Sequence, residues 1–173
     1  LDMVNKTMKS GSIYHSEVTQ LAAIPSRMLT ADTWDNNMTR WKYTWGDFKN
    51  SGAYGGDGKV DARIVHALDQ LSTFFGRKIG ITSAHRTPEY EDRQGIRKIN
   101  EPHGPHTTGT ALDITISDPE EQRKAVRFLS SIGVQGIGTY GTHIHIDLRG
   151  DRSWTKGGAI STDELRTLIA QGR

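Results

Sequence analysis

Cysteine is missing from all 173 residues. That excludes disulfide stapling and thiolate zinc fingers, and leaves His, Asp and Glu as the side chains able to hold a metal. No run of 18 apolar residues occurs, which excludes a membrane-spanning helix. Charge of one sign is not in excess either: Lys+Arg 22 against Asp+Glu 20 gives +2, and no basic run is interleaved with aromatics. The pattern therefore points away from nucleic acid, while a slight positive balance suits an anionic polymer such as a cell wall. Residues 1–6 lack the charged-then-apolar signature of a signal peptide. A chain that starts on Leu1 is expected to be a processed form that has lost any export signal.

What is present fits one domain with an appended segment, since 173 residues are too few for two ordinary domains. The boundary is expected near residue 43, with 1–43 as an N-terminal strap or extension and 44–173 as the main domain. An apolar fraction of 34% with 19 glycines predicts a loop-rich α+β protein rather than a helical bundle.

Residues 18–24 read as a short helix stopped by Pro25. Trp34, Trp41 and Trp45 then fall within twelve residues. They fit either indoles packed on the core or a carbohydrate-binding face. Residues 50–58 are dense in glycine but follow no strand, so turn chemistry accounts for them.

The recurrence of Val60, Ile64, Leu68, Leu71 and Phe75 predicts a helix from Lys59, ended by Gly76, with His66 on its surface or boundary. Residues 78–83 read as a buried strand that delivers Ser83, His85 and Arg86 to its C-terminal end. Pro88 opens a helical turn and 91–105 form a charged loop. Residues 111–117 alternate as a strand, with Leu112, Ile114 and Ile116 facing the core. Asp118 caps a helix that starts at Pro119 and buries Val126, Leu129 and Ile132. Residues 133–140 and 143–148 form a hairpin turning at Gly141, and Ser161 with Glu164 opens a last helix. This order predicts helices packed on a mainly antiparallel sheet.

Two blocks carry chemistry. His106, Gly109, Ala111 and Asp113 form one: the glycine supplies the turn between histidine and aspartate, and the alanine keeps their shared face clear. His143, His145 and Asp147 form the other, alternating with isoleucines so that all three share one strand face. A hydrolytic zinc site takes three nitrogen or oxygen ligands and leaves a fourth position open. One histidine of the pair can bind while the other stands beside the metal, and Asp147 is placed to orient a ligand imidazole. His103 lacks the register of His106 and is read as a substrate or rim residue; Ser83 is read with it among substrate-binding groups. Arg86 fits either a substrate-binding cation or a plain ion-pair partner. His15 and His66 have no constellation around them.

Ser83 with Arg86, His106 with Gly109, Ala111 and Asp113, and His143 with His145 resemble, in order and spacing, the zinc D-Ala-D-Ala carboxypeptidase and endolysin peptidase family. That family shares its fold with murein endopeptidases and the hedgehog signalling domain, and the likeness runs from about Tyr43 to Leu148. The resemblance implies one Zn2+ on His106, Asp113 and His145, with Arg86 polarising the scissile carbonyl and His143 beside the metal as catalytic group. It implies metal-assisted amide hydrolysis of peptidoglycan stem peptides or cross-links by a monomer, in the periplasm, the cell wall or a phage particle. Three positions depart from the family pattern: Gly104, His85 and Thr142. Thr142 stands where one branch carries a carboxylate base, leaving His143 or a distant carboxylate as proton carrier. The alternative is a zinc-containing wall-binding or scaffold protein without turnover.

Overall fold

The computed structural model describes residues 18–49, 58–95 and 104–173. Its strands are β1 (Met28–Leu29), β2 (Val60–Asp61), β3 (Ile81–Ser83), β4 (Ala111–Ile114), β5 (Gly136–Tyr140), β6 (Ile144–Asp147) and β7 (Arg152–Lys156). Its helices are α1 (Trp45–Lys49), α2 (Ala62–Phe75), α3 (Pro88–Gln94), α4 (Pro119–Ile132) and α5 (Thr162–Gly172), preceded by one 3-10 turn at Leu21–Ala23. Among the described residues, β1 and β2 form a small antiparallel ladder and the other five strands a sheet in the order β3-β4-β6-β5-β7. The predicted α+β class holds. The sheet is mixed, however: β3, β4, β6 and β5 pair antiparallel, and β7 adds to β5 in parallel.

The two faces of the sheet differ completely in chemistry. Leu112 and Ile114 of β4, Ile144 and Ile146 of β6 and Ile137 of β5 are fully buried on one face. They join Ile64, Leu68 and Leu71 of α2, Val126 and Leu129 of α4 and Leu165 of α5 in a single core cluster. Burying each such side chain contributes about 1.5–3 kcal/mol, which makes this layer the main source of stability. The helices α4 and α5 dock so closely that a Cβ at Gly172 would collide with the Arg127 carbonyl. Ser130 Oγ donates to Ile169 O at 2.8 Å across that contact.

The caps explain where the helices begin and end. Asp118 accepts from Glu121 N, Ser161 from Glu164 N and Thr87 from Tyr90 N, with Pro88 and Pro119 in the first turns. Gly76, Gly95 and Gly133 end α2, α3 and α4 in the left-handed conformation.

Several expectations are corrected by tertiary pairing. Val60 belongs to β2, opposite Leu29, and α2 starts only at Ala62 because Asp61 caps it by accepting from Arg63 N. Part of the loop predicted at 91–105 is helix, since α3 continues to Gln94. The helix predicted at 18–24 is a single 3-10 turn. His66 is buried rather than at the surface or boundary of α2. On its outer side Asp69 accepts from Arg40 N and Trp41 N, and Gln70 exchanges two hydrogen bonds with the Thr19 backbone. The indoles of Trp34, Trp41 and Trp45 are half-buried against the core, Trp34 donating to Tyr43 O and Trp41 to Thr73 Oγ1. Strand β7 has no counterpart in the expected order of elements. The expected turn at 50–57, His15 and His103 lie outside the described residues.

Candidate metal centre

The other face of the sheet carries polar groups in two adjacent rows. Cross-strand register lines up Ser83 of β3, Asp113 of β4, His145 of β6, Gly138 of β5 and Trp154 of β7. The next row lines up Ala111, Asp147, Gly136 and Arg152. Partners opposite one another in a ladder have Cβ atoms about 4.5–5.5 Å apart, so residues remote in sequence meet here without any special loop.

His106 is the exception, because it arrives on the turn that leads into β4. Thr110 N donates to Pro105 O at 3.0 Å, and Arg86 N to His106 O at 3.2 Å, which folds the turn back over β3. Gly109 closes it at φ +75°, where an added Cβ would lie 2.9 Å from the Lys59 carbonyl oxygen. Both the left-handed backbone and the close approach require glycine. The carbonyl of Gly109 in turn accepts from Asp61 N at 2.8 Å, tying the turn to β2.

Three donor atoms converge from these elements. His106 Nε2 lies 3.2 Å from His145 Nδ1 and 3.3 Å from Asp113 Oδ1, and His145 Nδ1 lies 3.0 Å from Asp113 Oδ1. Both outer imidazole nitrogens are committed. His106 Nδ1 donates to Ala84 O at 2.7 Å and His145 Nε2 to Asp147 Oδ2 at 2.7 Å. These bonds set the tautomers so that two imidazole lone pairs and one carboxylate oxygen aim at the same point, an arrangement that calls for a cation or a shared proton. A tetrahedral zinc with bonds of about 2.0–2.1 Å has ligand–ligand edges of about 3.3–3.4 Å. The three measured edges nearly match, so His106, Asp113 and His145 fit a metal of that size. Among the described residues they are the one group of His, Cys, Asp and Glu placed to hold a metal.

The electrostatics agree with this arrangement. Burial alone would raise the Asp113 carboxyl, but the imidazoles of His106 and His145 hold it far below the usual carboxylate range. Burial pushes His106 down. It opposes a charge on His145 as well, yet Asp113 and Asp147 on either side pull that imidazole up. Of the two imidazoles, His145 is the one whose charged form the neighbouring carboxylates favour.

Around the donors stand the remaining predicted groups. Arg86 Nη2 donates to Asp113 Oδ2 at 3.0 Å and Arg86 Nε to Ser83 Oγ at 3.0 Å. Arg86 is thus an ion-pair partner of a candidate ligand, and Ser83, 4% exposed, aims its guanidinium. His143, half-buried, stacks on Tyr140 at 4.3 Å between centroids and 10° between planes, with Nδ1 2.9 Å from Thr142 Oγ1. His85 braces the turn instead of joining the centre, its Nε2 lying 3.2 Å from Thr107 O. Asp147 orients His145 as its position on the shared strand face suggested.

Sequence reasoning overlooked Tyr140, Arg152 and Trp154. The available signal was Gly136 and Gly138, two glycines at alternate positions of one strand. A Cβ at Gly136 would collide with the Asp147 carboxylate, and one at Gly138 with the Trp154 indole. Alternate glycines in a strand mark a place where other groups must come close.

Comparison with known proteins agrees with the geometry. The family model described as Peptidase M15 matches residues 37–147, which contain all three donors together with Arg86 and His143. No curated protein and no solved structure matches the chain. With the match spanning well over half of its length, the chain belongs to the Peptidase M15 family.

Proposed function

We propose that this protein is a zinc-dependent peptidase that hydrolyses an amide bond in the stem peptides or cross-links of peptidoglycan. The observation that carries the reading is the convergence of His106 Nε2, Asp113 Oδ1 and His145 Nδ1 at edges of 3.0–3.3 Å, with both imidazole tautomers set by second hydrogen bonds. Membership of a peptidase family supplies the reaction class. The resemblance set out above supplies the wall substrate, an extracytoplasmic or phage-borne setting and a hedgehog-like fold, and the mild positive balance suits an anionic wall.

Zinc on these donors supplies Lewis acidity toward a peptide carbonyl and toward water. The chain's own groups do the rest. Arg86, held by Ser83 and Asp113, presents its remaining N–H groups to the carbonyl oxygen of the scissile amide and stabilises the negative charge that develops there. His143 carries the proton. Its Nδ1 is engaged by Thr142 and its plane is held against Tyr140, leaving Nε2 to accept a proton and return it to the departing amine. The stacked, half-buried position restricts the imidazole to one plane, which is what a proton carrier needs to act in a set direction.

The test is zinc-loaded protein incubated with purified bacterial sacculi, with mass spectrometry of the released muropeptides. New amino groups at one class of bond support the reading and identify the bond. Wall binding without any release, unchanged in a His143→Ala variant, would instead favour the non-catalytic binder, whose specific support is threonine rather than a carboxylate at position 142.

A further inference from the structure

The family match ends at residue 147, yet the polar rows of the sheet continue beyond it onto β7. Two side chains of that strand reach back across β5 to the centre. Neighbouring strands lie about 4.7–4.9 Å apart, so a β7 residue stands more than 9 Å from its counterpart on β6. Direct contact over that span needs a long side chain on β7 and an empty position on the strand between. Both conditions are met twice, in adjacent registers: Arg152 passes over Gly136 to Asp147, and Trp154 passes over Gly138 to His145.

The contacts are specific. Arg152 Nη2 donates at 3.1 Å to Asp147 Oδ2, the oxygen that also accepts from His145 Nε2. Arg149 N donates to the other oxygen, Oδ1, at 2.8 Å. The Asp147 side chain is 0% exposed, and a buried carboxylate stays ionised only when paired and hydrogen-bonded. The Trp154 ring lies 4.9 Å from the His145 ring, and the Arg152 guanidinium covers its face at 5.1 Å. Trp154 Nε1 donates at 2.8 Å to the hydroxyl of Tyr140, whose ring is the platform under His143. One indole thus touches a candidate ligand directly and the proton carrier through one intermediary.

We infer that β7 is the outer wall of the metal centre and that Arg152 and Trp154 are positioning residues for His145 and His143. Arg152 holds the Asp147 carboxylate in place against His145 Nε2, so that His145 presents Nδ1 to the metal. Trp154 holds Tyr140, and through it the plane of His143. This assignment rests on the zinc peptidase reading, and the experiment separates the two. Arg152 is half-exposed, and its outer side opens on a groove shared with Gln135 and Arg166.

Zinc dissociation constants are measured by chelator competition for the wild type, Arg152→Met, Arg152→Lys, Trp154→Phe and His145→Ala, alongside kcat and KM on soluble muropeptides. Arg152→Met is expected to weaken zinc by about 10–100-fold, the range for loss of a group that orients a ligand, and Arg152→Lys to recover most of it. Trp154→Phe removes the N–H donor and part of the ring, but keeps an aromatic face beside His145. It is expected to leave zinc affinity within about threefold, because a ring still faces His145, and to lower kcat at unchanged KM, because the hold on Tyr140 and through it on His143 is lost. Wild-type zinc affinity in Arg152→Met, or wild-type kcat in Trp154→Phe, would overturn the assignment. Wild-type zinc affinity in His145→Ala would overturn the metal centre itself.

Discussion

His106 Nε2 and His145 Nδ1 face each other at 3.2 Å inside a buried pocket, each ring having given its other nitrogen to a fixed oxygen acceptor. Two lone pairs at that distance repel unless something positive lies between them, and Asp113 adds a third negative donor. Folding has assembled a cavity whose electrostatics are complete with a cation or a shared proton.

Metal removal is therefore expected to destabilise the protein. A ligand present at about 100 times its dissociation constant stabilises the folded state by about 2.7 kcal/mol. For a domain of this size that corresponds to a fall in Tm of roughly 5–10 °C on chelation. Calorimetry with and without chelator checks it, and His106→Ala is expected to show the low Tm in both conditions.

Zinc affinity is expected to fall with acid, and to begin falling above the ordinary imidazole range. His145 is held above its usual value by Asp113 and Asp147, so its competing proton is bound at a pH where a free histidine has already lost it. Folding stability without metal runs in the opposite direction: the raised His145 contributes stability at low pH, which is lost as pH rises through its folded value. Chelator competition between pH 5 and 8 reads the first effect, and urea midpoints of the metal-free protein the second.

The chemistry of the centre was legible in the sequence for a physical reason. His106, Gly109, Ala111 and Asp113 meet demands set within eight residues, and His143 and His145 obey the two-residue period of a strand. Helix α4 was legible as well, because Asp118, Pro119 and the spacing of Val126, Leu129 and Ile132 are local signals. What was hidden depends on distant partners. Val60 is a strand residue only because Leu29 lies opposite, and the outer side of α2 is polar at Asp69 and Gln70 because residues 19 and 41 bond to it there. Strand β7 mixes Arg, Ser, Trp, Thr and Lys with no apolar alternation, and its place is decided by the free edge of β5.

Arg86→Lys is expected to lower kcat/KM by about 10²–10³-fold with zinc still bound. A lysine reproduces the charge but cannot contact Ser83 and Asp113 with two nitrogens while offering a third donor to a carbonyl. Loss of a single preorganised donor to a developing oxyanion has that magnitude. Steady-state kinetics with metal analysis on the same preparation decides it.

Gly138→Ala is expected to cost about 1–3 kcal/mol, as overpacking does in a filled interior. The added methyl group can be accommodated only by displacing the Trp154 indole. The same change at Gly141, where the nearest neighbouring atom would be 3.6 Å from the added carbon, is the control and is expected to be close to neutral. Urea denaturation of both variants provides the comparison.

Tyr43→Phe tests the floor of the core. The phenol is buried, donates to Ile79 O at 2.8 Å and accepts from Ile79 N at 2.9 Å, and burial pushes it up to about 12 from 10.0. The variant is expected to lose about 1–3 kcal/mol at neutral pH. Because the folded state favours the neutral phenol, its contribution is present below pH 10 and lost as pH rises toward 12. The gap between wild type and variant should close across that window, as read from urea midpoints at pH 8 and 11.5.

The lattice of β4 and β6 has a last consequence for accuracy. Asp113 and His145 alternate with Leu112, Ile114, Ile144 and Ile146, which point the other way into the core. A slip of one residue in either strand would exchange the two sets, sending isoleucines into the polar pocket and charged groups into the apolar core. The apolar layer therefore works as a ruler for the polar one. Ile144 and Ile146 touch no metal, yet they determine which atoms of this chain can reach it.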